Sequence, residues 1–92
     1  MHQLIVSTPV ADLIRTMHPH LKQKVRAALD ILLADQQAGK PLRDELAGLW
    51  SYRIGTFRII YRIGEDLEIV AIGPRRVIYE ETLRLVKRPP RS

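Results

Sequence analysis

Two arginines, Arg53 and Arg58, flank the dipeptide Gly55-Thr56 in the run Trp50-Ser51-Tyr52-Arg53-Ile54-Gly55-Thr56-Phe57-Arg58-Ile59-Ile60-Tyr61-Arg62. Glycine at the first central position suits a type II′ hairpin turn, whose twist matches that of the flanking strands. That turn predicts Ile54 opposite Phe57 and Arg53 opposite Arg58. Like charges set directly opposite each other destabilise a sheet by about 0.2–1 kcal/mol, a cost offset when an anion lies between them. Guanidinium forks grip phosphate oxygens at two points and stabilise negative charge that builds up on a phosphate. The chemistry these residues can do is phosphate capture and charge stabilisation.

Such a pair needs a rigid strand hairpin beneath it, and the alternation of apolar and polar residues predicts one. Trp50, Tyr52, Ile54, Phe57, Ile59, Tyr61 and Ile63 share one face, while Ser51, Arg53, Arg58, Ile60 and Arg62 share the other. A turn at Gly64-Glu65-Asp66 leads into a third strand over 67–72, with Ile63 opposite Leu67 and Arg62 opposite Glu68. That register neutralises Arg62 and leaves Arg53 and Arg58 without a carboxylate in the plane of the sheet. Upstream, 2–7 reads as a short edge strand, and Ser7 or Thr8 before Pro9 as the start of a short helix to about Met17. His18-Pro19 restarts the chain. Leu21, Val25, Ala28, Leu29, Leu32 and Leu33 then form an apolar stripe of helical period, which Gly39 and Pro41 end. After Gly73-Pro74-Arg75-Arg76, residues 77–87 read as a terminal helix. The fold class is α+β: a small antiparallel sheet with an N-terminal helical hairpin packed on one face and a short C-terminal helix. Residues 1–88 form a single domain and 89–92 a mobile tail.

At 92 residues the chain is one domain, burying about 60% of the surface its unfolded form exposes. The absence of cysteine excludes disulfides, thiolate metal sites and a cysteine nucleophile. The first apolar run, Leu4-Ile5-Val6, falls short of a signal-peptide core and of the roughly 20 residues of a membrane span. A cytoplasmic protein without membrane partners or cofactors is therefore expected. A net charge of +5 and a pI near 10.1 point to an anionic partner. Eleven of the fifteen Lys and Arg lie from Lys40 onwards, so the basic character belongs to the hairpin half.

A leading strand, a helical hairpin, Leu42-Arg43, the strand Tyr52-Arg53-Ile54-Gly55-Thr56-Phe57-Arg58-Ile59-Ile60-Tyr61 and the run Gly73-Pro74-Arg75-Arg76-Val77-Ile78-Tyr79 together resemble the RelE/ParE superfamily of bacterial toxin–antitoxin toxins. The resemblance covers nearly the whole chain. It implies either of two activities: RelE-like members cleave messenger RNA on the ribosome, and ParE-like members poison DNA gyrase. Carried over by position, it implies catalytic roles for Arg53, Arg58, Arg75 and Tyr79. Ser51, Arg62 and Arg76 are further candidate RNA-binding residues. Ser51 stands where many of the nucleases carry a base, and Pro74 where relatives often carry His or Lys. The favoured reading is a ribosome-dependent endoribonuclease in which a ribose 2′-hydroxyl attacks the adjacent phosphodiester. Its implied partners are a cognate antitoxin, the ribosome and messenger RNA, with operator DNA reached only through the antitoxin. A catalytically silent antitoxin-binding module is a third reading.

Plainer roles compete at each position. Arg53 and Arg58 could be ordinary solvent-facing strand residues, Arg75 and Arg76 turn residues, and Tyr79 an aromatic at the core edge. His2, His18 and His20 lack metal-ligand or triad spacing, with His18 better read as a helix boundary. Asp44-Glu45 and Glu80-Glu81 read as helix-terminal or solvated charges, and Trp50 and Phe57 as core.

Overall fold

The computed structural model describes residues 3–87. In chain order the elements are β1 (Leu4–Val6), α1 (Thr8–Thr16), α2 (Pro19–Ala34), β2 (Lys40–Pro41), β3 (Leu49–Ile54), β4 (Phe57–Ile63), β5 (Leu67–Pro74) and α3 (Arg75–Lys87), with 3-10 turns at Gln36–Ala38 and Asp44–Leu46. No described helix is long and apolar enough to cross a membrane. His2 and the tail expected at 89–92 lie outside the described residues.

Local chemistry sets most of these boundaries. Pro9 sits in the first turn of α1 behind an extended Ser7, where a missing N–H costs nothing. His18 caps α2, its Nδ1 accepting the His20 N–H at 3.1 Å. α2 stops at Ala34, short of the expected Gly39, because the Asp35 carboxylate takes the Gln37 N–H at 3.1 Å and offers the backbone a turn in place of another helical bond. Gly55, at φ +57°, turns β3 into β4 in the expected register, with Ile54 opposite Phe57 and Arg53 opposite Arg58.

The strands lie in the order β1-β5-β4-β3-β2. β2 to β5 are antiparallel neighbours, but β1 runs parallel to β5, pairing Leu4 with Leu67 and Val6 with Ile69. The sheet is thus mixed, not purely antiparallel. A three-residue edge strand has no hairpin turn to fix its direction, and its sense is set by distant bonds such as Leu67 N–H to Gln3 O at 2.8 Å.

The expected two faces are present. Val25, Ala28, Leu29 and Leu32 of α2 and Val10 of α1 pack on Ile54, Ile59 and Tyr61 and on Leu67, Ile69 and Ile72 of β5. On the opposite face, Leu49, Ile60, Ala71 and Ile78 of α3 make a second, smaller cluster. A bulge at Val70 divides the β4–β5 ladder: Tyr61 pairs with Ile69, yet Ile60 pairs with Ala71. The extra residue reverses the alternation of β5, so that Ile69 and Ile72 share a face. It also sets Arg58 opposite Gly73, where the uninterrupted register would have set it opposite Ile72.

α3 follows β5 without a loop, two residues earlier than expected. The Arg75 N–H, one of the donors left free at a helix start, bonds to Thr56 O in the hairpin turn at 2.7 Å. This bond ties the helix to the end of the sheet that carries Arg53 and Arg58.

Candidate active site

β2, β3, β4 and α3 enclose a cleft of about 450 Å³ whose walls include Lys40, Leu42, Ser51, Arg53, Arg58 and Tyr79. Among the described residues, no carboxylate or imidazole lines it. Arg53 is exposed and bends back towards its own turn, its Nε donating to Gly55 O at 3.4 Å. Arg58 is half-buried, and its Nε–H is enclosed without any hydrogen-bond partner. An unpaired buried donor costs about 1–3 kcal/mol, and here it adds to the repulsion of the facing Arg53.

Tyr79 reaches the cleft from the first turns of α3. Its hydroxyl shares a 3.0 Å hydrogen bond with Ser51 Oγ. Ser51 is buried, and this bond ties it to the Tyr79 hydroxyl at the wall. Arg75 does not line this cleft. It lines an adjoining hollow of about 420 Å³ beside Gly55, Thr56 and Arg76, and Arg53 stands at the border of the two. Arg76 also edges a third hollow with Arg43, Asp44 and Tyr79. Arg62 stands apart from all three, bonded to Glu68 Oε1 at 3.0 Å as its register required. Of the residues singled out by sequence, the fold gathers Ser51, Arg53, Arg58 and Tyr79, sets Arg75 and Arg76 next door, and leaves Arg62 outside.

The wall at Gly39, Lys40 and Leu42 was not among the candidate site residues, although Leu42-Arg43 formed part of the family resemblance. Gly39 and Pro41 read there as chain breakers, yet Lys40 pairs with Ser51 and Pro41 with Trp50 at the sheet edge. Beneath that wall lies Tyr61, fully buried, whose hydroxyl donates to Gln36 O at 2.7 Å and accepts the Gly39 N–H at 3.1 Å. Burial pushes the Tyr61 phenol above its ordinary value, with the Gly39 N–H acting in the opposite direction. Among the described residues no group of three or more His, Asp or Glu side chains is arranged to hold a metal ion.

Two guanidinium groups and an ammonium around one carboxylate-free cleft suit a phosphate-bearing ligand. Comparison with known proteins supplies the family. Residues 10–79 match the family model described as ParE toxin of type II toxin–antitoxin system, parDE. Toxin RelE of Mycobacterium tuberculosis is 34% identical over 87 residues, covering 85% of this chain and 84% of that protein. The chain belongs to the RelE/ParE toxin superfamily.

It is a toxin of a type II toxin–antitoxin system. A shorter match, 53% identical over 36 residues, links this toxin to Toxin RelG of the same organism, covering 39% of the chain and less than half (41%) of that relative. The crystal structure of the toxin–antitoxin complex RelBE2 from M. tuberculosis superposes with a TM-score of 0.71 at 30% identity, covering 80% of this toxin and 98% of the matched chain. The family match takes in Arg53, Arg58 and Arg75 and ends on Tyr79.

Proposed function

We propose that this toxin is a ribosome-dependent messenger RNA endoribonuclease of the cytoplasm, restrained by a cognate antitoxin. The observation that carries the reading is the enclosed, partnerless Nε–H of Arg58, facing Arg53 in a cleft bounded by Tyr79. The similarity to Toxin RelE over 85% of the chain and the likeness to a chain of the RelBE2 complex support the RelE-like branch and an antitoxin partner.

In this reading the scissile phosphate sits between Arg58 and Arg53. The ribose 2′-oxygen attacks phosphorus, the bond to the 5′-oxygen breaks, and a 2′,3′-cyclic phosphate and a 5′-hydroxyl end remain. The 2′-hydroxyl proton passes to solvent, and the departing 5′-oxygen is protonated from water. Arg58 and Arg53 stabilise the charge gathered on the phosphate oxygens. Tyr79 contacts the base or the ribose. Arg75, one hollow away, holds the neighbouring phosphate or meets the 5′-oxygen, for which a guanidinium is a poor proton donor. With no carboxylate or imidazole in the cleft, the roughly 10²–10⁴-fold gain of a general base is missing. The ribosome offsets that loss by holding the A-site codon in a reactive geometry.

The family model's ParE description favours a second reading, a gyrase poison in which the cleft is only a docking surface. The deciding experiment offers purified toxin programmed ribosomes, free RNA and gyrase in parallel. Cleavage within the A-site codon, blocked by a 2′-deoxy substitution that spares binding, supports the nuclease. Inhibition of supercoiling at concentrations that leave ribosome-bound messages whole would replace it with the gyrase reading.

A further inference from the structure

We propose that Lys40 is a third phosphate-binding residue of the cleft, held there by the buried hydroxyl of Tyr61; the inference rests on the reading of the cleft as an RNA site. Lys40 pairs with Ser51 across β2 and β3. Directly opposed residues project to the same face of a sheet, and Ser51 projects to the cleft face, where it meets Tyr79. Arg53, two residues further along β3, shares that face, and a diagonal neighbour of this kind lies about 7–8 Å away. Lys40 therefore lines the cleft with Arg53 and Arg58, and among the described residues none of the three takes part in an ion pair. The arginines are anchored in β3 and β4 as planar forks. Lys40 adds a compact charge on a flexible stem, suited to a phosphate one step along the strand.

A two-residue strand containing proline, which has no N–H to give, holds its place weakly by itself. What fixes it comes from the other side of the sheet. The Tyr61 ring lies in the core under α2, and its hydroxyl ties Gln36 O and the Gly39 N–H together. The Leu42 N–H closes the far end on Leu49 O at 2.8 Å. The approach is so close that a Cβ on residue 39 would fall 2.5 Å from Ser51 O and 2.6 Å from the Tyr61 hydroxyl. Tyr61 touches no ligand. It is a positioning residue that acts through Gly39 on the wall carrying Lys40.

The test measures binding of a short, uncleavable 2′-O-methyl single-stranded RNA by fluorescence anisotropy across a KCl series, on variants whose folding is verified by circular dichroism. For a single strand, each phosphate that the protein no longer neutralises flattens the slope of log K against log salt by about 0.7. Lys40→Ala should show that flattening, Lys40→Arg should restore the slope, and Lys24→Ala, on the exposed side of α2, should match wild type. Tyr61→Phe should weaken binding as Lys40→Ala does and add nothing in the Lys40→Ala background. A wild-type slope in Lys40→Ala, with Arg58→Ala flattened, overturns the inference and spares the RNA reading. Absence of salt-dependent binding by wild type, or a wild-type slope in Arg58→Ala, overturns both. Equal weakening by Tyr61→Phe in both backgrounds makes its hydroxyl a support of the fold alone and overturns the positioning role. If Tyr61→Phe fails to fold, rapid hydrogen exchange at the Gly39 amide of wild type overturns the latch.

Discussion

Replacing Arg58 with methionine should remove toxicity and raise stability together. The Arg58 Nε–H is enclosed and partnerless, which costs about 1–3 kcal/mol. It stands directly opposite Arg53 across β3 and β4, a like-charge pair that costs a further 0.2–1 kcal/mol or so. Methionine keeps the apolar stem and removes both costs, losing part of the packing made by the arginine side chain. A net gain of about 1 kcal/mol corresponds to a melting temperature higher by about 4–8 °C in a domain of this size. Thermal melts followed by circular dichroism, beside growth arrest in cells, measure the two halves of the expectation. Phosphate sharpens the comparison, since a ligand at tenfold its Kd adds about 1.4 kcal/mol to the state that binds it. Wild type should therefore gain more from phosphate than Arg58→Met does, which cancels the general salting effect common to both. A melting temperature lowered by several degrees, with toxicity intact, would mean that Arg58 is a structural residue and that the cleft's strain serves no ligand.

Three further outcomes follow from the geometry. Gly55→Ala forces a side chain into a left-handed conformation at φ +57° and should cost about 1–2 kcal/mol in a denaturant melt, with growth arrest weakened because Arg53 and Arg58 hang on that turn. Tyr61→Phe leaves the Gly39 N–H and Gln36 O without their buried partner and should cost about 1–3 kcal/mol. The folded phenol titrates above its unfolded value, so its contribution is whole below the ordinary tyrosine range and fades as pH rises through the folded value; unfolding midpoints taken up to alkaline pH should fall in wild type and less in Tyr61→Phe. Arg62→Ala removes an exposed pair with Glu68 and should change stability by less than about 1 kcal/mol, leaving arrest of growth as it was.

The hairpin was legible because its information is local. Gly55-Thr56 fixes the turn, the turn fixes the register, and the alternation from Trp50 to Ile63 assigns each side chain to a face. The inward stripe of α2 and the Arg62–Glu68 pairing follow from spacing in the same way. What escaped was decided by partners distant in sequence. Lys40 and Pro41 look like a break in the chain until the β3 edge is there to pair with them. Val70 looks like any strand residue until the ladder needs an extra one. Ser51 was expected to bind RNA, and only Tyr79 of α3, 28 residues on, accounts for its burial at the wall. The parallel sense of β1 likewise depends on β5 alone.

That last pairing bears on how the toxin comes into being. Gln3 and Asp66 meet across a separation of 63 positions, and β5 is the strand on which both β1 and β4 close. At a synthesis rate of roughly 5–20 residues per second, β1 waits roughly 3–13 s for the strand it pairs with, and the apolar face of α2, made later, waits less. Tyr79, borne by the helix that follows β5, joins the cleft later still. The nascent chain thus carries no finished cleft while that strand is awaited, and the delay that exposes its unfinished core also gives a partner its earliest opportunity to bind.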